Sequence, residues 1–413
     1  MRRLLCTALL LLCCAYGCIA AVVQPLPKRG QGPWDTYTVS VADTDDDDDP
    51  TEKVKENWQP IRIAVSPKGV SDAVHYCRSR KLGARWGYPR KTNFDQALCH
   101  PTEGMTLERA NLFVNKILRA AIRLHAERLK VKRESGKLII TGDTVLFFGK
   151  LCPEVKIPSE HEKEGVANAD FVLYAGVSIY KPDTVVCSYN LQKRPIAASM
   201  NIRPKDIADT RHFTRIVAHE LGHGLGFDNM ALNKVSALVS VVRNDVHYEL
   251  RHALIKEKVS EHYGCPAATG MRLEKDKGNQ VIRHFDRRIA KDELMSPYSG
   301  SSNGMFYTAL TLAVFESTGH YKANFAKAEN MSWGRNAGCV FLKKKCRDDS
   351  LSNYGDMFCD IDSAGPLQCT SDRFALGKCS QTWKSDALSW QKCMSRYAEN
   401  EMAELDDVCP IIK

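Results

Sequence analysis

The chain is 413 residues long, too long for one minimal core, so two or three domains are expected. Its net charge of +9 includes clusters such as FLKKKCR and RHFDRR. No nucleic-acid fold signature accompanies them, which argues against a nucleic-acid binder and leaves solvated surface, with a basic face suited to anionic cell surfaces or acidic substrates.

The chain begins MRRLLCTALLLLCCAYGCIAAVV: two arginines, a leucine-rich core, then small residues around Cys18, Ile19 and Ala20. This predicts a signal peptide over residues 1–20, hence a secreted or cell-surface protein. An uncleaved anchor over residues 4–23 is the alternative, since no other stretch is apolar and long enough to span a bilayer. Residues 21–57 hold the acidic run VADTDDDDDPTEK, whose like charges predict a flexible propeptide or linker. The C-terminal LDDVCPIIK has no hydrophobic tail, so a glycolipid anchor is not expected.

From Trp58 the pattern is α/β. IRIAV reads as a strand, and the run from Thr106 through HAERLKVK reads as a long helix with Ala110, Val114, Ile117, Ala121 and Leu124 on one face. KLIIT, FVLYAGVSI, TVVCSY and AASMNI read as strands of a mixed sheet. These elements make an N-terminal unit over 58–226 that ends in a helix containing IVAHELGHGLGF.

That helix carries the chemistry. Phe213, Ile216, Val217 and Leu221 recur at helical spacing, Asp209 or Thr210 can cap its start, and Gly226 suits a left-handed end. His219 and His223 lie four residues apart on one face, so both imidazoles can bind one ion. Glu220 lies beside them and stays available to take a proton from metal-bound water. A bare H-E-x-x-H can be a chance match on a packed helix; the following glycine favours function. The eleven-residue form of this motif would place a third histidine at Asn229, a poor zinc ligand, and Asp228 falls one residue early. His247, His252 and His262 sit in a charged, helical-looking run and are expected to face solvent. His284 remains, 11 residues before Met295 in the sequence ELMSP.

These stretches resemble the leishmanolysin family of metzincin zinc peptidases. IRIAVS followed by Cys77, HAERLKVK, HELGHGLGF, DELMSP and WGRNAGCVFL carry the likeness from about Ile61 to the C-terminus. The resemblance implies His219, His223 and His284 as ligands of one Zn2+, Glu220 as catalytic base and Met295 as the methionine of a turn beneath the metal. It also implies that the strand from Val185 to Tyr189 is an antiparallel edge that pairs with peptide substrates. Tyr298 is a candidate oxyanion stabiliser. Residues 227–340 would hold a helical insertion, the third ligand and the turn, with YTALTLAVFESTGHY as an amphipathic helix. Residues 341–413 would form a cysteine-rich end.

Sixteen cysteines, four of them in the leader, leave an even twelve, which argues for disulfides in an extracellular protein. Near neighbours suggest Cys77 with Cys99, Cys152 with Cys187 and Cys265 with Cys339, and Cys369 with Cys393 is considered for the C-terminal six. Residues 21–58 contain no cysteine, so no thiolate from that segment can block the zinc. Asn330 opens the only glycosylation sequon. The sequence thus points to a secreted zinc endopeptidase acting on proteins or peptides, with host or cell-surface proteins as conceivable partners. Its rival is a non-catalytic adhesion or decoy protein on the same scaffold, which would have no chemical need of Glu220.

Overall fold

The computed structural model describes residues 35–42, 58–79, 97–133, 135–140, 152, 157–180, 182–234, 237–242, 245–275, 281–297, 304–343, 357–358 and 367–378. The leader, the acidic run and most of the C-terminal cysteines lie outside the described residues. The first strands are β1 (Tyr37–Val39), β2 (Trp58–Pro60), β3 (Ile63–Ser66), β4 (Leu129–Lys132), β5 (Phe171–Val177), β6 (Asp183–Tyr189) and β7 (Pro195–Ile202). Five of them form a sheet in the order β1-β3-β5-β7-β6. The inner strands β3, β5 and β7 run parallel, and β1 and β6 close the edges antiparallel.

The inner strands are mostly apolar because the sheet is covered on both faces. Ile63, Val65, Phe171 and Leu173 feed the larger core, while Ala64, Val172 and Tyr174 feed a smaller one on the opposite face. On the larger-core side lies the long helix. Thr106 caps it by accepting from Arg109 N at 3.2 Å. Ala110, Val114, Ile117 and Ala121 are buried as their spacing predicts, and a π-helical turn, Phe113–Ile117, interrupts the α-helical ladder. The helix stops at Ala126, so LKVK is not its continuation but strand β4. Leu129 and Val131 are buried while Lys132 is exposed, and this alternation wins because β2 pairs with β4. In KLIIT the described residues contribute a single bridge, Leu138 to Val166, rather than a strand.

Three further expectations change. Residues 35–42 belong to the segment predicted to be flexible, yet β1 pairs with β3, because Tyr37 and Val39 alternate inward against the core. The insertion is only partly helical. Strands β8 (Ala237–Val242), β9 (Asp245–Leu250), β10 (Met271–Lys275) and β11 (Val281–Phe285) form an antiparallel sheet in the order β11-β10-β9-β8. Valine-rich ALVSVV favours a strand over a helix, which the charged neighbours obscured. The helix Ala309–Ser317 is not amphipathic either: every residue from Leu310 to Phe315 is buried. A two-residue strand β12 (Lys322–Ala323) joins β4, and β13 (Gln368–Cys369) pairs with β14 (Leu376–Gly377). Among the described residues no helix is long and apolar enough to cross a membrane.

Disulfides join Cys77 to Cys99, Cys152 to Cys187 and Cys265 to Cys339. Cys187 sits where the register between β6 and β7 shifts, beside the edge of the main sheet. Among the described residues Cys369 is exposed and joined to no other cysteine. It lies on a two-residue hairpin opposite Leu376, and Cys393 is outside the described residues. The Cys265–Cys339 bond closes a loop of 74 residues. In the chain-entropy picture such a loop contributes about 4 kcal/mol. Replacing both cysteines by alanine should lower the urea midpoint accordingly, and an unchanged midpoint would contradict a stabilising role for the bond.

Candidate metal centre

The motif helix, Arg211–Gly224, starts where Thr210 accepts from Phe213 N at 3.1 Å. It ends in a Schellman turn: Phe227 N–H reaches Gly222 O at 2.9 Å and Gly226 N–H reaches His223 O at 3.1 Å. Gly226 has φ +116°, a conformation that side chains with a Cβ rarely adopt. The Tyr321 hydroxyl donates to Leu225 O at 2.7 Å, satisfying a further end carbonyl.

This ending orients the second histidine. His223 Nδ1 donates to Phe227 O at 2.8 Å, and His219 Nδ1 donates to Leu294 O at 2.6 Å. A carbonyl only accepts, so both Nδ1 atoms carry hydrogen and both Nε2 atoms present lone pairs. His284, on β11, brings its Nε2 to 3.0 Å from that of His219 and 3.2 Å from that of His223. The two motif nitrogens are themselves 3.1 Å apart. Lone pairs this close repel unless a cation lies between them. The centre of the triangle is ~1.8 Å from each nitrogen, so all three lie within the ~2.0–2.1 Å reach of a zinc–nitrogen bond. The three residues therefore fit one zinc ion, and they are the one such group among the described residues. His223 is held well below the ordinary histidine range, first by burial and then by the charges of His219 and Arg283. Its neutral form is the one that binds metal.

The other candidates are engaged elsewhere. Asp228 accepts from Ala231 N at 2.8 Å and from the Tyr189 hydroxyl at 2.9 Å. It caps the next helix, Asn229–Lys234, rather than joining the histidines. His252 caps the helix Ala253–Tyr263, accepting from Leu254 N at 3.3 Å. His262 does not simply face solvent: it is half-buried, and its Nε2 donates to Trp333 O at 2.9 Å. The side chains of Asn229 and His247, and the whole of Tyr298, lie outside the described residues. Asn330 is exposed.

Met295 is fully buried against the motif helix. A Cβ on Gly222 would stand 2.7 Å from its sulfur, so this glycine is what lets the methionine approach. Met295 O accepts from Phe285 N at 2.9 Å, tying the turn to the strand of His284.

The leishmanolysin family profile matches residues 16–413. The chain belongs to the leishmanolysin family. It is 34% identical to the leishmanolysin of Leishmania amazonensis over 338 residues, 79% of this chain and 54% of that protein. Against the leishmanolysin of Leishmania chagasi it is 30% identical over 390 residues, 91% of this chain and 62% of the other. A leishmanolysin-like peptidase of Drosophila pseudoobscura is 24% identical over 443 residues, 83% of this chain and 61% of the other. The chain thus spans about three-fifths of the length of these relatives or less.

Several side chains that hold this leishmanolysin-family site received no role from the sequence. Glu293, fully buried in DELMSP, accepts from Met295 N at 2.6 Å, Thr311 Oγ1 at 2.7 Å, Thr308 Oγ1 at 2.9 Å and Thr308 N at 3.2 Å. It fixes the peptides that offer Leu294 O to His219 and set Met295 beneath the helix. His125, in HAERLKVK, donates from Nε2 to Ala218 O at 2.8 Å and accepts at Nδ1 from the Tyr307 hydroxyl at 3.0 Å. Burial drives its pKa down to about 3, so it stays neutral. Arg215 grips Glu329 through two bonds of 2.6 Å, and Glu329 also accepts from Tyr307 N at 2.7 Å. These residues sit among other charged ones, as in RRIAKDELM, so no local pattern marked them as buried or named their partners.

Burial pushes the Glu293 carboxyl up to about 7, against the four hydrogen bonds that favour its charged form. A carboxyl with a raised folded pKa holds its proton more tightly in the fold. Its contribution is therefore present at acid pH and is lost as pH rises through the folded value. In metal-free protein, wild type should lose stability relative to Glu293→Gln between the ordinary 4.5 and about 7. Parallel denaturation series that keep a constant difference across this range would contradict it.

Proposed function

We propose that the chain is a secreted zinc endopeptidase in which His219, His223 and His284 hold the metal and Glu220 is the general base. The observation that carries this reading is the convergence of three imidazole Nε2 atoms within 3.2 Å of one another, two of them with fixed lone pairs. A zinc ion there supplies a Lewis acid for a peptide carbonyl and lowers the pKa of a bound water to about 7. Glu220, one residue after a ligand and 5% exposed, lies on the same helix. Its carboxylate takes the proton of the attacking water and returns it to the leaving amine nitrogen.

Substrate follows from the sheet. β6 is an outer strand, antiparallel to β7, with Val185 40% exposed on it. An extended peptide laid along β6 would bond through its main chain, with side-chain pockets choosing among sequences. The leader and the three disulfides support export, since such bonds persist in oxidising compartments. Asn330, exposed, suits a glycan on an exported chain. The decisive experiment is zinc content and casein hydrolysis of the secreted protein with and without a chelator. About one zinc per chain and chelator-sensitive, zinc-restored hydrolysis are expected; hydrolysis that survives complete metal removal would sink the reading.

A further inference from the structure

β1 is a short strand with deep anchors, and its covalent route to β2 runs through the acidic residues 43–57. Tyr37 and Val39 are 5% and 6% exposed, and stand opposite Val65 and Ile63 of β3. The Tyr37 hydroxyl donates to Val114 O at 2.8 Å, within the π-helical turn of the long helix. Arg119, a residue 8% exposed, places its guanidinium 4.1 Å from the Tyr37 ring centroid. The acceptor for the phenol, the cation over its ring, the apolar floor and the open ladder of β3 together make a slot. It takes an extended segment with an aromatic residue two places before an aliphatic one.

We propose that this slot is a strand-addition site filled in cis by residues 35–42, and that cutting the chain in the acidic run empties it. The emptied slot then accepts an extended peptide of tyrosine-x-valine chemistry. The reasoning is one of concentration. Three ladder pairs and two anchored side chains are a small interface, and binding must offset the ordering of the strand. On its own such a segment binds with a dissociation constant of roughly 10 μM to 1 mM, whereas covalent continuity with the rest of the chain supplies an effective concentration of about 1 mM or more. The tethered strand is docked. The cut strand, at micromolar protein, leaves. Release uncovers the β3 edge on the side of the sheet away from β6, and frees Val114 and Arg119 on a helix that packs against the motif helix.

The test uses the full chain with a recognition site for a foreign endopeptidase inserted after Asp49. The cut and uncut proteins are each run on a sizing column at about 1 μM and then titrated with a fluorescent peptide of residues 35–42, DTYTVSVA. The expected result is that the N-terminal fragment separates from the cut protein. The peptide then binds cut but not uncut protein, and a peptide carrying Tyr37→Ala binds at least about tenfold more weakly. The inference is overturned if the fragment stays bound through the column, which would make it a permanent part of the core. It is overturned equally if the peptide binds neither form, binds both alike, or is indifferent to Tyr37→Ala. No readout depends on hydrolysis, so the outcome stands apart from the proposed catalytic role.

Discussion

Glu220→Gln should reduce peptide hydrolysis by about 10²–10⁴-fold, the range a positioned general base contributes, while the protein keeps close to one zinc per chain. The carboxamide matches the carboxylate in shape but cannot take a proton from water. Its site on the helix lies beside two of the proposed ligands and replaces neither. Zinc content by atomic absorption and cleavage of a quenched-fluorescent peptide, measured on one preparation, separate the two effects. A variant that retains most of its activity would remove Glu220 from the mechanism. A variant that loses its zinc would show that the residue does more for the site than accept a proton.

The second large effect concerns the third ligand. His284→Ala leaves two protein nitrogens where three now converge, so zinc affinity should fall by well over about 100-fold, beyond the loss typical of an outer-shell change. Activity should disappear with it. Asp228→Ala is the informative control, because Asp228 is the sequence neighbour of the position where the shorter motif puts its ligand. Here its oxygens are committed to Ala231 N and the Tyr189 hydroxyl. Removing them should cost about 1–2 kcal/mol of stability, the value of a lost helix cap, and leave zinc binding nearly intact. Competition against a chelator reads the affinity of each variant. Zinc lost from Asp228→Ala and kept by His284→Ala would reverse the assignment.

The contrast between these residues marks how far sequence reaches. His219 and His223 sit four residues apart on one helix, so their common face follows from helical geometry alone, and Glu220 is their sequence neighbour. A start at Asp209 or Thr210 and the Gly226 turn were legible for the same reason, since caps and left-handed glycines act within a few residues, and the structure picks Thr210. The strands β3, β5 and β7 were legible as apolar runs. Legibility failed where periodicity was short or mixed. LKVK was absorbed into the helix before it, and ALVSVV was hidden among charges, since only strand pairing distinguishes such segments. Tyr37 and Val39 looked like part of an acidic, unstructured stretch until β3 supplied the edge they pair with.

The sequence by itself determined the chemistry on offer: two imidazoles on one helical face with a carboxylate next to them in the chain, a glycine able to turn the chain, and a methionine segment downstream. What the tertiary structure alone decided is which distant groups meet them. His284 is 61 residues beyond His223, and the sheet β8–β11 together with the bond from Phe285 N to Met295 O carries it to the helix. Glu293 gained its place in the same way, from threonines 15 and 18 residues away that close around its carboxyl. Local pattern encodes the shape of a helix or strand because those interactions span a few residues. The meeting of remote side chains depends on the summed packing of the whole core, which no short stretch of sequence contains.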